Sequence, residues 1–380
     1  MHAVIPGLAP TPSITIRSDF MPFKLRCLAA LTTLLLSACG GGSDDRSDAR
    51  LVSFGDSLSD VGSYRTAGIA ALGGGKYTVN GAADGIWVEQ LAVRLGLPAP
   101  CAAQTGLQAS GVFAALAATV SNQPTCTAYA QGGSRVSDPV GPGNAALLAS
   151  PDPATAATGQ LGQLTVPVAT QIANHLAAHG GRFAERDLVT VLAGSNDLFV
   201  QLGAVAAGAQ TAQGAAQAVA QAATELVALV KTQVLANGAT RVLVLNLPNI
   251  GNTPAMLAAQ AAGSTGVREL ADGLAQAFNA TLAAGLAGNA NVQLVDVYAE
   301  NTRQAANPAA YGLSNVTTPA CTNTFAGVAS VTGSSLLCSV STTRPDSARY
   351  LFADDVHPTP YGHSLLRDLV LPALARAGWN

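Results

Sequence analysis

A serine near the start of the chain and a histidine near its end have the residue types of a nucleophilic site. Ser57 lies in the stretch FGDSLSD (54–60), directly after an apolar run, and Asp354 and His357 have the spacing Asp-x-x-His in DDVHPT (354–359). A serine hydroxyl becomes an effective nucleophile when a histidine accepts its proton and a third group orients that histidine. The sequence therefore predicts a catalytic triad of Ser57, Asp354 and His357, divided between the two ends of the chain.

The composition is typical of an exported protein and argues against nucleic acid as a partner. Apolar residues make up 49% of the 380 residues and charged residues only 11%, well below the ~25% usual for soluble domains. The formal net charge is -3 and no cluster of Lys and Arg is present. Phosphate binding needs such a cluster, so we expect no nucleic-acid partner.

The N-terminus has the layout of a secretory signal. Lys24 and Arg26 precede an apolar run at 28–36, which is followed by LSAC (36–39) and GGGS (40–43). This pattern predicts a signal peptide over 1–38 with Met21 as the expected start, and the apolar run is too short for a stable transmembrane span. The LSAC stretch resembles the bacterial lipobox, which would place a lipid on Cys39; an ordinary secretory signal is the alternative. We expect a bacterial cell-envelope lipoprotein, at the outer membrane, or a secreted protein.

Four cysteines remain once the signal is removed and Cys39 is assigned to lipid: Cys101, Cys126, Cys321 and Cys338. An even number in an oxidising compartment indicates disulfides. Of the three possible connectivities we favour pairing of sequence neighbours, Cys101 with Cys126 and Cys321 with Cys338. Reduced, buried cysteines are the alternative.

Strand-like and helix-like segments alternate along the chain after a polar tether at 39–49. Runs rich in β-branched residues predict strands, and Ala-rich segments that end near Gly or Asn predict helices. This alternation favours one α/β domain over 50–380, with a mostly parallel sheet and the ligand site at the carboxyl ends of its strands. We expect strands at 51–54, 187–193, 241–247 and 292–297, helices at 166–178, 204–235, 254–287 and 361–377, and loop insertions at 98–164 and 301–349.

Four short blocks identify a family resemblance. No serine here has the Gly-x-Ser-x-Gly setting of the α/β-hydrolase elbow. The blocks GDSLSD (55–60), YAQGGS (129–134), GSND (194–197) and DxxHPT (354–359) instead resemble, in order, those of the SGNH or GDSL lipases and esterases. The resemblance covers 50–380 and is closest to the secreted bacterial phospholipase and acyltransferase branch, which YGLSNV (311–316) and NLPNIG (246–251) also match. It implies a three-layer α/β/α fold.

The resemblance also implies which residues stabilise the reaction's oxyanion. The main-chain N–H groups of Ser57 and Gly133 and the side-chain amide of Asn196 are the implied donors. Gly132 is the rival for the role of Gly133. Preorganised donors suit acyl transfer, because negative charge develops on the former carbonyl oxygen.

Three further acidic residues are expected to have structural roles. Asp355 could partner the histidine, but the family spacing selects Asp354, and we expect Asp355 to be a solvated loop residue. Asp56 is expected to bind loop amides and Asp60 to cap the following helix, because short carboxylates satisfy free N–H groups.

The remaining candidates for metal binding or nucleophilic attack are weaker. His175 and His179 have the spacing of a helical zinc pair, but Leu176 stands where a metalloprotease has its Glu. Ser195 has no evident histidine of its own, and Trp87 is expected to pack in the core. We expect no metal site and no cofactor.

These patterns predict a carboxylic ester hydrolase that forms an acyl-enzyme on Ser57. The expected substrates are lipid-like or short-chain acyl esters, with phospholipase activity or acyl transfer to another alcohol as variants. A carbohydrate or polyester esterase of the same fold is one alternative. A non-catalytic, ligand-binding surface lipoprotein is another, because a fold does not guarantee activity.

Overall fold

A four-stranded parallel sheet lies at the centre of the protein. The computed structural model describes residues 49–82, 85–322 and 335–379, so the predicted signal peptide, Cys39 and most of the tether lie outside the described residues. The strands are β1 (Leu51–Gly55), β2 (Gln104–Leu107), β3 (Ala118–Asn122), β4 (Leu188–Leu192), β5 (Arg241–Leu245) and β6 (Val292–Val295). The helices are α1 (Ala67–Ala71), α2 (Trp87–Leu95), α3 (Pro153–Gly159), α4 (Val168–Ala178), α5 (Ser195–Ala206), α6 (Ala212–Leu229), α7 (Pro254–Ala261), α8 (Val267–Leu286), α9 (Val297–Ala306) and α10 (Pro360–Ala377).

Helices cover both faces of this sheet, whose spatial order is β1-β4-β5-β6. Successive strand residues point to opposite faces. Val189 and Val191 accordingly join the core under α4, α5, α6 and α8, whereas Leu188 and Leu192 join the core under α2 and α10. The predicted three-layer α/β fold with a parallel central sheet is confirmed.

The predicted strands are confirmed to within two residues at each end, but two predicted helices are wrong. The structure divides 204–235 between α5, α6 and a π-helical turn at Val230–Val234, and it divides 254–287 between α7 and α8. Gly208, Gly263 and Gly266 adopt positive φ angles of 70°, 103° and 75° at these breaks. A left-handed residue ends an α-helix, and the high Ala content on both sides concealed the interruption.

The insertion at 98–164 was predicted as a loop but carries structure of its own. β2 and β3 pair antiparallel within it, and α3 follows. The disulfide Cys101–Cys126 closes 25 residues of this insertion, and Cys321–Cys338 closes 17 residues of the second one. The expected neighbour pairing is thus present, and two disulfides fit an oxidising compartment. Among the described residues, no helix has both the length and the apolar character needed to cross a membrane.

Candidate active site

The carboxyl end of β1 and the segment beside it position the serine. The stretch 127–131 runs parallel to the free edge of β1, where Tyr129 N–H donates to the Ser53 carbonyl and Gln131 N–H to the Gly55 carbonyl. On the other edge β4 ends just before α5. Three of the four sequence blocks therefore meet at one end of the sheet, as the alternation of strands and helices indicates.

Gln171 of α4 holds the turn that carries the serine. Its amide oxygen accepts from Gly55 N–H at 2.9 Å, and its amide nitrogen donates to the Gly55 carbonyl at 2.8 Å. Because both polar groups of Gly55 are bound by one buried side chain, Ser57 starts from a fixed backbone. No local motif marks Gln171, and the sequence analysis missed it.

The structure brings the three predicted triad residues together. The Oγ of Ser57 lies 2.7 Å from Nε2 of His357, and Nδ1 of His357 lies 2.8 Å from Oδ2 of Asp354. Each of the three residues is at most 8% exposed. This geometry allows the imidazole to accept the serine proton while the carboxylate stabilises the resulting imidazolium.

The His357 ring and main-chain donors together keep Asp354 in its ionised form. The N–H groups of Val356 and His357 donate to Oδ1 at 2.9 and 2.7 Å, and Ser335 N–H donates to Oδ2 at 2.5 Å. Burial raises the pKa of Asp354. Attraction to the charged form of His357, the hydrogen bond from its ring and the N–H groups of Val356 and His357 outweigh burial, so the pKa lies below its ordinary value. The carboxylate is therefore charged whenever the enzyme works near neutral pH.

Gly133 has a main-chain N–H with no acceptor among the described residues. Its φ is +78°, and a Cβ there would lie 2.4 Å from the carbonyl oxygen of Pro142, so the position requires glycine. The N–H of its rival Gly132 instead donates to Asp60. The N–H of Ser57 likewise has no acceptor among the described residues, and all three implied oxyanion residues, Ser57, Gly133 and Asn196, line one pocket.

The first turn of α5 fixes Asn196 against the loop that carries Gly133. The side-chain amide of Asn196 donates to the Ser134 carbonyl at 2.8 Å, which leaves its second N–H for a ligand. The next residue, Asp197, accepts from Val136 N–H at 3.0 Å and from Arg135 Nε at 3.1 Å. Asp197 and Arg135 thus attach this loop to α5, a role that the sequence analysis did not predict.

Asp60 and Tyr64 bind both polar groups of Gly132. Oδ2 of Asp60 accepts from Gly132 N–H at 2.9 Å, and the Tyr64 hydroxyl donates to the Gly132 carbonyl at 2.8 Å. Asp60 also accepts from Gly62 N–H and Ser63 N–H at 2.9 and 2.7 Å. The prediction that Asp60 caps the following helix is wrong, because its oxygens serve the turn at 60–63 and the Gly132 loop instead.

Tyr77 lies between the histidine and the same loop. Its ring centroid is 4.8 Å from that of His357, and its hydroxyl is 2.6 Å from the side-chain amide of Gln163. A Cβ on Gly132 would lie 2.1 Å from the Tyr77 hydroxyl. The ring therefore limits the positions open to the imidazole and requires glycine at 132.

Asp56, next to the nucleophile, binds a loop amide as expected. Its Oδ1 accepts from Leu58 N–H at 3.1 Å, whereas Oδ2 is buried with no hydrogen-bond partner among the described residues. Burial raises the pKa of Asp56 from 3.8 to about 7, and repulsion from Asp197 adds to this effect, while the Leu58 hydrogen bond and His357 oppose it. A carboxyl with this pKa is partly protonated at neutral pH.

Two of the alternative site residues line the same pocket. Asp355 lies in a loop, as predicted, but it is half-buried in the pocket lining instead of fully solvated, and burial raises its pKa. The Asp355 carbonyl accepts from Ala255 N–H of α7 at 3.0 Å, which attaches this loop to α7. Ser195 Oγ has no hydrogen-bond partner among the described residues, so no histidine activates it.

Of the other singled-out residues, Trp87 and His175 are buried and His179 is partly buried at the end of α4. Trp87 is fully buried and its Nε1 donates to Ser59 Oγ at 3.2 Å, as expected for a packing residue. The ring of His175 stacks on Phe183 and contacts the ring of His179, with centroid distances of 4.5 Å in both cases. Over the described ranges no group of three or more His, Cys, Asp or Glu side chains could hold a metal ion.

A three-layer α/β fold with Ser, His and Asp hydrogen-bonded in series at the carboxyl ends of its strands is typical of serine hydrolases. The family model for GDSL-like lipases and acylhydrolases matches residues 51–370. The chain therefore belongs to this family and is an ester-bond hydrolase. A comparison with curated proteins finds no match.

Proposed function

We propose that Ser57 is the nucleophile of a carboxylic ester hydrolase that works through an acyl-enzyme. The observation that carries this proposal is the unbroken series of hydrogen bonds from Ser57 through His357 to Asp354. As Ser57 Oγ attacks the acyl carbon, His357 Nε2 takes the serine proton and then gives it to the departing alcohol. Water, deprotonated by the same nitrogen, releases the acid and restores the serine.

The developing oxyanion is assigned to three donors. They are the N–H groups of Ser57 and Gly133 and the second amide N–H of Asn196. Each such donor can lower the barrier by about 3 kcal/mol, because it is oriented before the charge forms. The attachments of Gly132 and Asp197 described above support this assignment, since they hold the donors in place without substrate.

The apolar pocket supports acyl esters as substrates. It has a volume of about 410 Å³, and its lining includes Ser57 together with Phe199, Ile250 and Met256. Lipid-like or short acyl chains fit such a lining. Phospholipase activity and acyl transfer to a second alcohol remain predictions from the family branch.

A panel of 4-nitrophenyl esters from acetate to palmitate tests the nucleophile and the chain length together. We expect turnover by the mature domain and loss of at least about 10³-fold in kcat for Ser57→Ala. Ser195→Ala is the matched control, because Ser195 lines the same pocket with an unbonded hydroxyl, and it should retain activity. Labelling by a fluorophosphonate should likewise disappear only in Ser57→Ala. Activity that survives Ser57→Ala would refute the assignment.

We further propose that the protein is exported and is tethered through a lipid on Cys39. The two disulfides support export, and the lipobox-like LSAC stretch supports lipidation. Metabolic labelling with a palmitate analogue should mark the parent protein and not Cys39→Ser. Equal labelling of both would refute the lipid site, and export without any label would favour the ordinary secretory signal.

A further inference from the structure

The pocket at Ser57 combines apolar walls with negative charge. Three acidic residues line it, Asp56, Glu300 and Asp355. Asp56 is partly protonated at neutral pH and Glu300 is paired with Arg303, so Asp355 is the main source of this charge. Of the described residues that line it, none is Lys or Arg. The segment 323–334, which lies outside the described residues, also has no Lys or Arg in its sequence.

Three arginines beside residues of the pocket lining are already engaged. Arg268 donates to the Gly251 carbonyl at 2.9 Å and to Asn252 Oδ1 at 3.1 Å. Arg303 pairs with Glu300 at 2.5 Å and is 59% exposed, away from the pocket lining. Arg135 pairs with Asp138 at 2.7 Å and with Asp197 at 3.1 Å. Asp355 has no ion pair among the described residues, so its negative charge is not compensated in the pocket.

Two effects would weaken the binding of an anionic ester in this pocket. Its charge loses water on entry and finds no cation in return. It also comes near the acidic side chains in surroundings of reduced dielectric, where repulsion between like charges is strong. A neutral ester meets neither penalty and gains from contact with the apolar walls.

We propose that this pocket selects uncharged acyl esters and rejects esters that carry a carboxylate or a phosphate near the scissile bond. This inference rests on the proposed function of the same site and names its substrate class. It places the phosphodiester group of a phospholipid among the disfavoured ligands. It also predicts that the anionic acid formed by hydrolysis binds more weakly than the neutral ester that precedes it.

A matched pair of esters isolates charge from size. Mono-4-nitrophenyl glutarate carries a carboxylate, and 4-nitrophenyl methyl glutarate is nearly the same molecule without the charge. At low ionic strength we expect kcat/KM for the methyl ester to exceed that for the anion by about 30-fold or more. Added salt should reduce the ratio, because salt screens the repulsion.

Asp355→Asn should lower this ratio several-fold, since it removes the uncompensated charge. Asp368→Asn is the matched control, because Asp368 is an exposed α10 carboxylate outside the pocket lining, and it should leave the ratio unchanged. The ratio compares two esters on one enzyme, so a loss of activity common to both cancels.

The outcomes separate this inference from the function on which it rests. Equal turnover of the two esters, or a ratio that Asp355→Asn and Asp368→Asn alter alike, would overturn the charge selectivity and leave the hydrolase intact. Absence of turnover of either ester dependent on Ser57 would overturn the proposed function and, with it, the inference.

Discussion

Replacing Tyr64 by phenylalanine would remove one buried hydroxyl behind the proposed oxyanion donor. That hydroxyl donates to the Gly132 carbonyl at 2.8 Å, and this carbonyl belongs to the same peptide unit as the N–H of Gly133. Burial and the nearby Asp60 raise the pKa of Tyr64 above its ordinary value, so the hydroxyl remains a donor at any assay pH. Its bond both polarises the peptide and fixes the direction of the Gly133 N–H.

The expected change in kcat follows from how much one oxyanion donor lowers the barrier. Such a donor lowers the barrier by about 3 kcal/mol, and a hydrogen bond to the opposite end of a peptide strengthens its N–H by about 10–30%. Tyr64→Phe should therefore raise the barrier by about 0.3–1 kcal/mol, which lowers kcat about two- to five-fold. KM should change little, because the oxyanion exists only at the tetrahedral stage.

Stability will fall as well, since Tyr64 Oη also accepts from Thr165 N–H at 3.1 Å. Leaving these buried groups unbonded costs about 1–3 kcal/mol. Tyr361→Phe is the matched control, because the Tyr361 hydroxyl makes the same kind of bond, to the Tyr311 carbonyl at 2.7 Å. It should lose stability and keep kcat.

The assay combines kcat and KM on a 4-nitrophenyl ester, urea unfolding, and the inhibition constant of an alkyl boronic acid, which mimics the tetrahedral intermediate. In Tyr64→Phe the inhibition constant should rise by the same factor as kcat/KM falls, whereas Tyr361→Phe should leave both at the parent values. An unchanged kcat, or a loss confined to KM, would refute the reasoning.

Two other substitutions test the electrostatics and packing beside the nucleophile. Unfolded Asp56 ionises near pH 4 and folded Asp56 only near pH 7, so its contribution to stability falls as pH rises between these values, and the difference corresponds to about 4 kcal/mol above pH 7. Asp56→Asn should thus raise the free energy of unfolding in urea by up to that amount at pH 8 and by little at pH 4. Asp152→Asn, at an exposed position, should raise it at neither pH. An equal gain for Asp56→Asn at both pH values would contradict the assigned cause. Gly194→Ala should lower the free energy of unfolding by about 2–5 kcal/mol and abolish most activity. At this position φ is +116° and the new Cβ would lie 2.4 Å from the Phe278 ring. Gly203→Ala, in open space on the same helix, should instead gain up to about 1 kcal/mol, and similar losses in both would show that packing at the start of α5 is not the cause.

The sheet and the triad residues could be predicted from the sequence, because the sequence patterns that indicate them are local. Each central strand is a short, nearly continuous apolar run, which is what a parallel sheet covered on both faces requires. Ser57 and the Asp354–His357 pair each occupy a short motif directly beside an element. Because the strands are parallel, their carboxyl ends lie at one end of the sheet, so motifs that are distant in sequence meet there.

The residues that hold the site in place could not be predicted from the sequence, because their hydrogen-bond partners lie far along the chain. Gln171 binds Gly55 across 116 residues, and Tyr64 binds Gly132 across 68. No local sequence pattern predicts that a glutamine on a helix or a tyrosine after a turn will make such a contact. Asp60 shows the same limit, because its position beside a turn favours a local cap while the folded loop places Gly132 N–H within reach.

These supporting contacts explain how a site built from four separate blocks is rigid before substrate binds. Gln171 binds both polar groups of Gly55, Asp60 and Tyr64 bind both polar groups of Gly132, and the first turn of α5 binds the loop that follows. Three of the four blocks are thereby held through main-chain groups, and Asn196 holds the loop with one amide N–H while its second remains for a ligand. Electrostatic stabilisation is effective only when the donors need no reorganisation during the reaction. We therefore expect the buried polar groups around Gly55 and Gly132 to contribute to the rate through the positions of Ser57 and Gly133.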